Sequence, residues 1–323
     1  MSALAGVVVA GTGGVWQVHT ATGDAVDATL RGRLKKDRER EHAGAPLKLA
    51  VGDDVRLEQD AKAGTWAICE ILPRRSRLAR REPGGRFGER VLVANVDQIV
   101  VVFAAARPDP HPRMLDRFLV IAEANDVAAR VVINKVDLAD EAGTRARFAV
   151  YERIGYAVHY TSVKRALGLA GLRDAILGRR SALTGPSGVG KSSLMNALFP
   201  GLDLRVGEVS EAVNKGRHTT VGALMHPLPA QDGAHAAGYL ADTPGLREVG
   251  AWGLPPEQLA ACYPELRALL DQCRFADCTH VVEPGCAIRE AVESGDVSGE
   301  RYESYVKLRE ELEDEQRRWQ YQR

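Results

Sequence analysis

Ser181-Ala182-Leu183-Thr184-Gly185-Pro186-Ser187-Gly188-Val189-Gly190-Lys191-Ser192 is the stretch on which the fold turns. A short apolar run ends in a full G-x-x-x-x-G-K-[ST] pattern, and Ser193-Leu194-Met195-Asn196-Ala197-Leu198 continues it as a helix. Glycines let backbone N–H groups turn inward around phosphate oxygens, and the helix N-terminus adds partial positive charge. Lys191 can reach β- and γ-phosphates, and the Ser192 hydroxyl can ligate Mg²⁺. A Gly-rich turn with no ligand would not need this strand before it and this helix after it. Residues 184–193, from Thr184 to Ser193, are therefore expected to line a nucleotide.

Working outward from this loop identifies the base. Asn134-Lys135-Val136-Asp137 follows the apolar run Val131-Val132-Ile133. The Asp137 carboxylate can accept from guanine N1–H and its exocyclic amine, a pair adenine does not offer. Asn134 can serve the O6/N7 edge, and the Lys135 stem can lie over the base. Thr161-Ser162-Val163-Lys164, after the β-like run Ala157–Tyr160, resembles the S-A-K loop that closes over guanine in GTPases. Downstream, Asp242-Thr243-Pro244-Gly245 matches D-x-x-G, in which the Asp holds Mg²⁺ through water and the Gly amide senses the γ-phosphate. Between the two lies the polar segment Asn214-Lys215-Gly216-Arg217-His218-Thr219-Thr220, where a Mg²⁺-ligating switch threonine belongs. Thr220 is favoured over Thr219 by analogy with other GTPases that carry paired threonines.

The motifs thus run N-K-x-D, S-x-K, P-loop, switch threonine, D-x-x-G. Ordinary GTPases begin at the P-loop. Cutting such a chain after D-x-x-G and joining its old ends gives the present order around one site. Chain termini of compact domains lie close together, so the rearrangement is physically tolerable. It also ends the domain just after Asp242–Val249, so movement there would pass into the C-terminal segment.

The flanking segments read differently. Gly6–Ala10, Val15–His19, Ala25–Leu30, Asp54–Leu57 and Thr65–Leu72 are five short β-like runs, with the turn Gly11-Thr12-Gly13-Gly14 marking a hairpin. They suggest a small closed barrel, an OB-fold first and an SH3-like barrel as the alternative. Residues 74–90, rich in arginine, proline and glycine, read as a basic linker. From 91 to 250 apolar runs at Ile99–Phe103, Arg130–Ile133, Ser181–Leu183, Val221–His226 and Gly238–Leu240 accompany the helical stretch Pro112–Ala124, an α/β sheet with helices on both faces. Residues 251–323 form a helical third unit, with a helix over 255–272 and a long charged one over 298–323, its inner side marked by Tyr305, Leu308, Leu312 and Trp319. The domain division is 1–73, 74–90, 91–250 and 251–323.

Between the last two helical stretches lie Cys273, Cys278, His280 and Cys286, three soft thiolates and an imidazole in fourteen residues. Four such ligands close a tetrahedral Zn²⁺ site with no open position, a structural role. Cys69 and Cys262 lack such company and read as core thiols. Forty-three basic residues balance forty-three acidic ones, so net charge neither demands nor excludes nucleic acid. Arginines and lysines crowd 31–40 and 74–81, which can face RNA phosphate or simply solvent. Sparse aromatics, with Trp16 and Trp66 suited to the core, favour contacts to RNA shape over base stacking. No apolar run is of membrane-spanning length, and the N-terminus carries no secretory pattern, so a cytoplasmic protein is expected.

Permuted G motifs, a preceding barrel and the Cys-Cys-His-Cys cluster together resemble the ribosome small-subunit-dependent GTPase A family, also called RsgA or YjeQ. The resemblance covers nearly the whole chain. It implies an OB-fold domain, a permuted GTPase domain and a zinc-binding domain. It also implies binding to the 30S subunit late in its maturation, with 16S rRNA as the principal surface. GTP would be hydrolysed to GDP and phosphate with stimulation by the subunit, and a monomer is the expected form. Two rivals remain. An RNA-binding adaptor could use GTP only as a structural ligand, which complete Lys191, Ser192 and Asp242 disfavour. An ATP-dependent P-loop enzyme is disfavoured by Asn134-Lys135-Val136-Asp137.

Leu246 stands after D-x-x-G where many GTPases carry a water-orienting Gln, and leucine can neither donate nor accept. His218 is the candidate for that role once the ribosome orders its loop; the alternative is that it packs or touches RNA. His218→Ala should then lower subunit-stimulated turnover with GTP affinity intact. Full stimulated turnover in that variant would remove the assignment.

Overall fold

The computed structural model describes residues 3–31, 48–59, 64–81, 89–202, 204, 223–229, 236–242 and 254–321. Its first unit is a closed barrel of β1 (Leu4–Thr12), β2 (Val15–Thr20), β3 (Ala25–Leu30), β4 (Asp54–Gln59) and β5 (Trp66–Ile71). The order is β1-β2-β3-β5-β4, closed by β1 on β4, with β3 and β5 parallel and the other pairs antiparallel. This is the OB-like arrangement of the two considered. Period-2 alternation builds it: Ala28 and Leu30 point inward with Val8, Val18, Val55, Leu57 and Ile68, while Asp27 and Thr29 are exposed. Trp16 and Trp66 pack at the edge of that core. Cys69 does not belong to it. It follows the inward Ile68, so it faces outward, half-buried, its thiol donating to Arg56 O at 3.2 Å. Cys262 is buried as expected.

The stretch 74–90 is more ordered than a linker in its described part. β6 (Arg77–Arg81) pairs antiparallel with β7 (Glu89–Ala94), because Leu78 and Val93 are buried between arginine-bearing positions. Two of its arginines are also less available than their charge suggested. Arg74 donates to both oxygens of the fully buried Asp53 at 2.6 and 2.8 Å, and Arg75 to Asp97 at 2.9 Å. Of the other basic run, Arg31 pairs with Glu58, and 32–47 lie outside the described residues.

The second unit is a six-stranded sheet. Its strands are β8 (Gln98–Ala104), β9 (Ala128–Asn134), β10 (Ala157–Tyr160), β11 (Arg180–Thr184), β12 (Leu224–Pro227) and β13 (Tyr239–Asp242). Their spatial order is β10-β9-β8-β11-β13-β12, all parallel except β12. β8 is buried along its whole length, which is why it reads as a continuous apolar run. Helices α1 (Pro112–Ala124) and α2 (Glu141–Arg153) cover one face through Leu115, Phe118, Leu119, Phe148 and Tyr151. Helices α3 (Leu169–Ile176) and α4 (Lys191–Leu198) cover the other through Leu172, Ile176, Leu194 and Leu198. Helix α2 was not anticipated. It buries only Thr144, Phe148 and Tyr151, too thin a stripe to stand out, and its start is set by Asp140, which accepts from Gly143 N at 2.6 Å.

The barrel grips this sheet at the strand ends remote from the P-loop. Arg180, which opens β11, donates to Asp54 at 2.6 and 3.1 Å and to Gly52 O at 3.1 Å. His19 Nδ1 and the hydroxyl of Tyr239, which opens β13, share a hydrogen bond of 3.0 Å.

In the third unit the helix expected over 255–272 is broken. Short 3-10 turns at Pro256–Gln258, Ala260–Cys262 and Leu270–Gln272 flank a single α turn, Pro264–Arg267. Pro255, Pro256 and Pro264 remove backbone donors and restart the chain each time. Helices α5 (Ala287–Ser294) and α6 (Gly299–Tyr321) follow. Tyr305, Leu308 and Leu312 are buried along α6 as their spacing predicted; the side chain of Trp319 lies outside the described residues.

This unit is fastened to α1 by a buried ion cluster. Arg301 on α6 donates to Asp116 at 2.5 Å and to Glu265 at 2.7 and 3.2 Å, with the Tyr151 hydroxyl also donating to Asp116 at 2.8 Å. The guanidinium stands 4.7 Å from the Tyr263 ring centre and 5.5 Å from that of Tyr151. Exposed pairs such as Arg31–Glu58 contribute at most about 1 kcal/mol. Arg301 and Asp116 are 3% and 1% exposed, so losing one partner strands a buried charge. Arg301→Ala should cost about 3–5 kcal/mol in chemical denaturation; an unshifted unfolding midpoint would contradict the cluster's role.

Candidate nucleotide and metal sites

The phosphate-type loop grows out of β11 as its sequence demands. Gly185 has φ 133°, and a Cβ there would stand 2.1 Å from Val102 O, so only glycine lets the loop leave the sheet. Gly190, at φ 91°, precedes α4, and a Cβ on it would meet Asn134 Nδ2 at 2.8 Å. The Lys191 ammonium is folded onto the loop, donating to Gly185 O at 2.8 Å and Pro186 O at 2.5 Å. Ser187 and Gly188 are exposed, Val189 is buried, and Pro186, Ser192 and Ser193 are half-buried around the loop. Thr184 closes the strand with its hydroxyl buried and without a partner among the described residues.

β9 and β10 bring the N-K-x-D and S-x-K motifs to the same end of the sheet. Asn134 ends β9, and its Nδ2 donates to Val189 O at 3.0 Å, which ties N-K-x-D directly to the P-loop. Its Oδ1 accepts from Thr161 Oγ1 at 3.1 Å. Lys135, in the left-handed region at φ 59°, donates to Gly188 O and to Arg107 O, both at 2.6 Å. Val136 packs against the sheet core. The Ser162 hydroxyl donates to Asp137 Oδ1 at 2.6 Å, and that bond first of all holds the Asp137 carboxyl below its ordinary range. Backbone bonds from Thr161 N to Ile133 O and from Val136 N to Thr161 O, 2.8 and 3.2 Å, lock the two loops together. Val163 packs against the core under α3, and Lys164 is exposed.

Asp242 closes β13 beside Leu183 of β11, so the D-x-x-G aspartate lies at the P-loop end of the neighbouring strand. Burial lowers the pKa of His226 on the adjacent β12, which Asp242 partly offsets. Gly245, Leu246, His218, Thr219 and Thr220 lie outside the described residues. Two contributors were missed in the sequence. Thr161 fixes the Asn134 amide, and Arg107 offers a carbonyl to Lys135. Both act across loops that are far apart in the chain, which no local pattern reveals.

The Cys/His cluster assembles in the third unit. Cys273 Sγ is 3.4 Å from His280 Nδ1 and 4.0 Å from Cys286 Sγ, and Cys286 Sγ is 3.7 Å from His280 Nδ1. With Cys278 all four ligand atoms lie within 4.8 Å of one another. Metal–sulfur bonds of about 2.3 Å in a tetrahedron put sulfurs about 3.8 Å apart, so the cluster can hold a metal ion. Burial pushes the Cys278 thiol up to about 12; the His280 amide opposes this and the sulfurs of Cys286 and Cys273 add to it. Burial lowers His280, which keeps the imidazole neutral as a ligand must be. The knuckle is braced from both sides. Glu283 accepts from Thr279 N and Oγ1 and from the amides of Val281 and Val282, while α6 sends the Tyr302 and Tyr305 hydroxyls to His280 O and Thr279 O at 2.8 and 2.7 Å.

A parallel sheet with this P-loop between β8 and β13, and N-K-x-D supplied by an earlier strand, defines a circularly permuted P-loop GTPase. The model of the RsgA GTPase family matches residues 71–252. The small ribosomal subunit biogenesis GTPase RsgA of Gemmatimonas aurantiaca is 65% identical over 308 residues, covering 95% of this chain and 97% of that one. Among solved structures, YjeQ from Thermotoga maritima superposes with TM-score 0.74 at 33% identity, over 96% of this chain and 99% of its own. YloQ, described as a circularly permuted GTPase, gives 0.73 at 27% identity over 97% and 96%. The chain belongs to the RsgA GTPase family and is a GTP hydrolase.

The Ser162–Asp137 contact makes a sharp test of base choice. Asp137→Asn should weaken GTP binding and improve xanthosine triphosphate binding, because the amide presents a donor where guanine's amine needs an acceptor. Unchanged GTP affinity in a titration would refute the guanine pocket.

Proposed function

We propose that this chain hydrolyses GTP while bound to the 30S ribosomal subunit late in its maturation, with 16S rRNA as the principal surface and the subunit accelerating turnover. The observation that carries the reading is the meeting of three motif loops: Asn134 on Val189 O, Lys135 on Gly188 O and Ser162 on Asp137. Their union makes one pocket for base and phosphates out of a permuted chain. The names of relatives, which specify small ribosomal subunit biogenesis, supply the partner.

In this reading Asp137 accepts from the guanine edge, with Ser162 keeping it ionised and aimed, and Asn134 offers its remaining amide hydrogen toward the base. Lys135 backs the base, and Val136, Val163 and Lys164 shape the pocket beside it. Residues from Thr184 to Ser193 wrap the phosphates, with the Lys191 ammonium turning from the loop carbonyls to β- and γ-oxygens. Ser192, Thr220 and Asp242 would hold Mg²⁺, which would neutralise charge on the phosphates, and Gly245 would sense the γ-phosphate. His218 orients the attacking water when the subunit orders its loop. The ion of the Cys273, Cys278, His280 and Cys286 cluster is Zn²⁺ in a structural role, since four protein ligands leave no open position. Among the described residues no helix is long and apolar enough to cross a membrane, and the protein works in the cytoplasm as a monomer.

Multiple-turnover hydrolysis of GTP and ATP, with and without 30S subunits, tests the whole reading. The expected pattern is slow GTP turnover alone, faster turnover with subunits, and no ATP turnover. Hydrolysis of ATP, or GTP turnover indifferent to subunits, would overturn it.

A further inference from the structure

Away from both sites, one group of cations has no ion-paired acid among the described residues. Arg130 on β9 and His159 on β10 share a sheet face, because the parallel register sets Arg130 beside Ala157 and Val132 beside His159. Arg130 Nη1 lies 2.7 Å from His159 Nε2, a contact in which the arginine must donate and a neutral imidazole accept. Burial, then the charge of Arg130, lowers the His159 pKa and keeps the ring in that form. On its other side Arg130 Nε donates to Gln98 Oε1 at 3.2 Å. Gln98 is itself buried and fixed, its amide nitrogen donating to Ala175 O and Ser181 Oγ, both at 2.9 Å. The guanidinium is therefore held in one orientation, with its Nη2 edge left over from these bonds.

Arg179, exposed in the connection between α3 and β11, brings a second positive charge; burial and Arg179, in that order, lower the Arg130 pKa. Among the described residues no carboxylate lies within ion-pair distance of either arginine. The contrast with Arg74, Arg180 and Arg301 is plain, since each of those has its own aspartate. The C-terminal carbonyls of α3 offer nearby partial negative charge, a weaker partner than a formal anion. A pre-oriented, half-buried guanidinium, with a second one near enough to act on it and no ion-paired carboxylate among the described residues, suits phosphate recognition.

We infer that Arg130 and Arg179 form a phosphate-oxyanion site for the backbone of an RNA, with Gln98 and His159 as its positioning residues. The RNA assignment rests on the functional reading above. It is favoured because Arg179 adjoins Arg180, where the barrel is clamped to the same end of the sheet, so the site continues the surface that barrel and sheet share. A contact to phosphate oxygens positions the RNA and carries no sequence preference of its own.

The test uses the full chain with 30S subunits over a range of salt, comparing the wild type with Arg130→Gln, Arg179→Gln and the double variant. The double variant should bind subunits roughly tenfold more weakly, with the slope of log affinity against log salt smaller by about 1–2. Basal GTP hydrolysis should be unchanged. Arg179→Gln, at an exposed position, should carry part of the loss even if Arg130→Gln folds poorly. In parallel, inorganic phosphate is titrated while the arginine side-chain nitrogen resonances of Arg130 and Arg179 are followed. Phosphate-induced shifts with unaltered subunit binding would assign the site to free phosphate and overturn the RNA assignment. Unaltered affinity, slope and resonances would overturn the site itself. Failure of the wild type to bind subunits would count against the functional reading instead, and the resonances would still decide whether an anion is held.

Discussion

The ladder that holds β11 between β8 and β13 is the constraint on which the rest depends. Ser181, Ala182, Leu183 and Thr184 pair with Gln98, Ile99, Val100 and Val101 on one side, and residues 180–183 pair with 239–242 on the other. A strand so placed has its outgoing end fixed by backbone hydrogen bonds alone, whatever the order in which its neighbours were synthesised. Permutation therefore costs the site nothing at the level of the sheet. The N-K-x-D strand comes earlier in the chain yet stands one strand beyond β8, close enough for Asn134 to reach Val189 O. What covalent continuity no longer enforces, Asn134, Lys135 and Gly185 enforce by contact.

How much of this was legible in the sequence depended on whether the signal was local. Ala25–Leu30, Pro112–Ala124 and Ala157–Tyr160 are read with their observed bounds, because alternation, a proline at a helix start and a turn before a strand are each written within a few residues. The P-loop and the N-K-x-D tetrapeptide are written just as locally. The helix at 141–153 was not, since a stripe of three buried residues is too weak a period. The stretch 255–272 has helical spacing but is not one helix, because Pro255, Pro256 and Pro264 lack the backbone donors a continuous helix needs. At the site, the Ser162–Asp137 bond was foreshadowed by two recognisable motifs, but the Thr161–Asn134 bond and the Arg107 carbonyl belong to tertiary structure.

Charge shows the same limit more sharply. The run at 74–81 looks like a patch for a polyanion, yet Arg74 and Arg75 turn inward or sideways to Asp53 and Asp97. A basic run in sequence counts charges, whereas binding depends on charges left without internal partners. The buried arginine on α6 makes the complementary point. Nothing around Arg301 in the chain marks it as buried; its partners come from α1 and from the turn at 264–267.

That arrangement bears on how the third unit relates to the GTPase. Its core of Leu259, Tyr263, Leu266, Ile288, Tyr305, Leu308 and Leu312 also takes in Val120, which belongs to α1. The same helix supplies Asp116 to Arg301, one turn earlier on the same face. A Cys/His knuckle has little core of its own, so borrowing from α1 makes it part of the GTPase body rather than a tethered module. Helix α1 in turn begins just after the segment whose Arg107 carbonyl receives Lys135, which also holds Gly188 of the P-loop. The motif order suggested that the nucleotide would speak to the C-terminal unit through the chain after D-x-x-G. Helix α1 provides a second connection that is already rigid. Through Asp116 and Val120 this connection reaches the buried cluster at Arg301 without using the chain that follows Asp242.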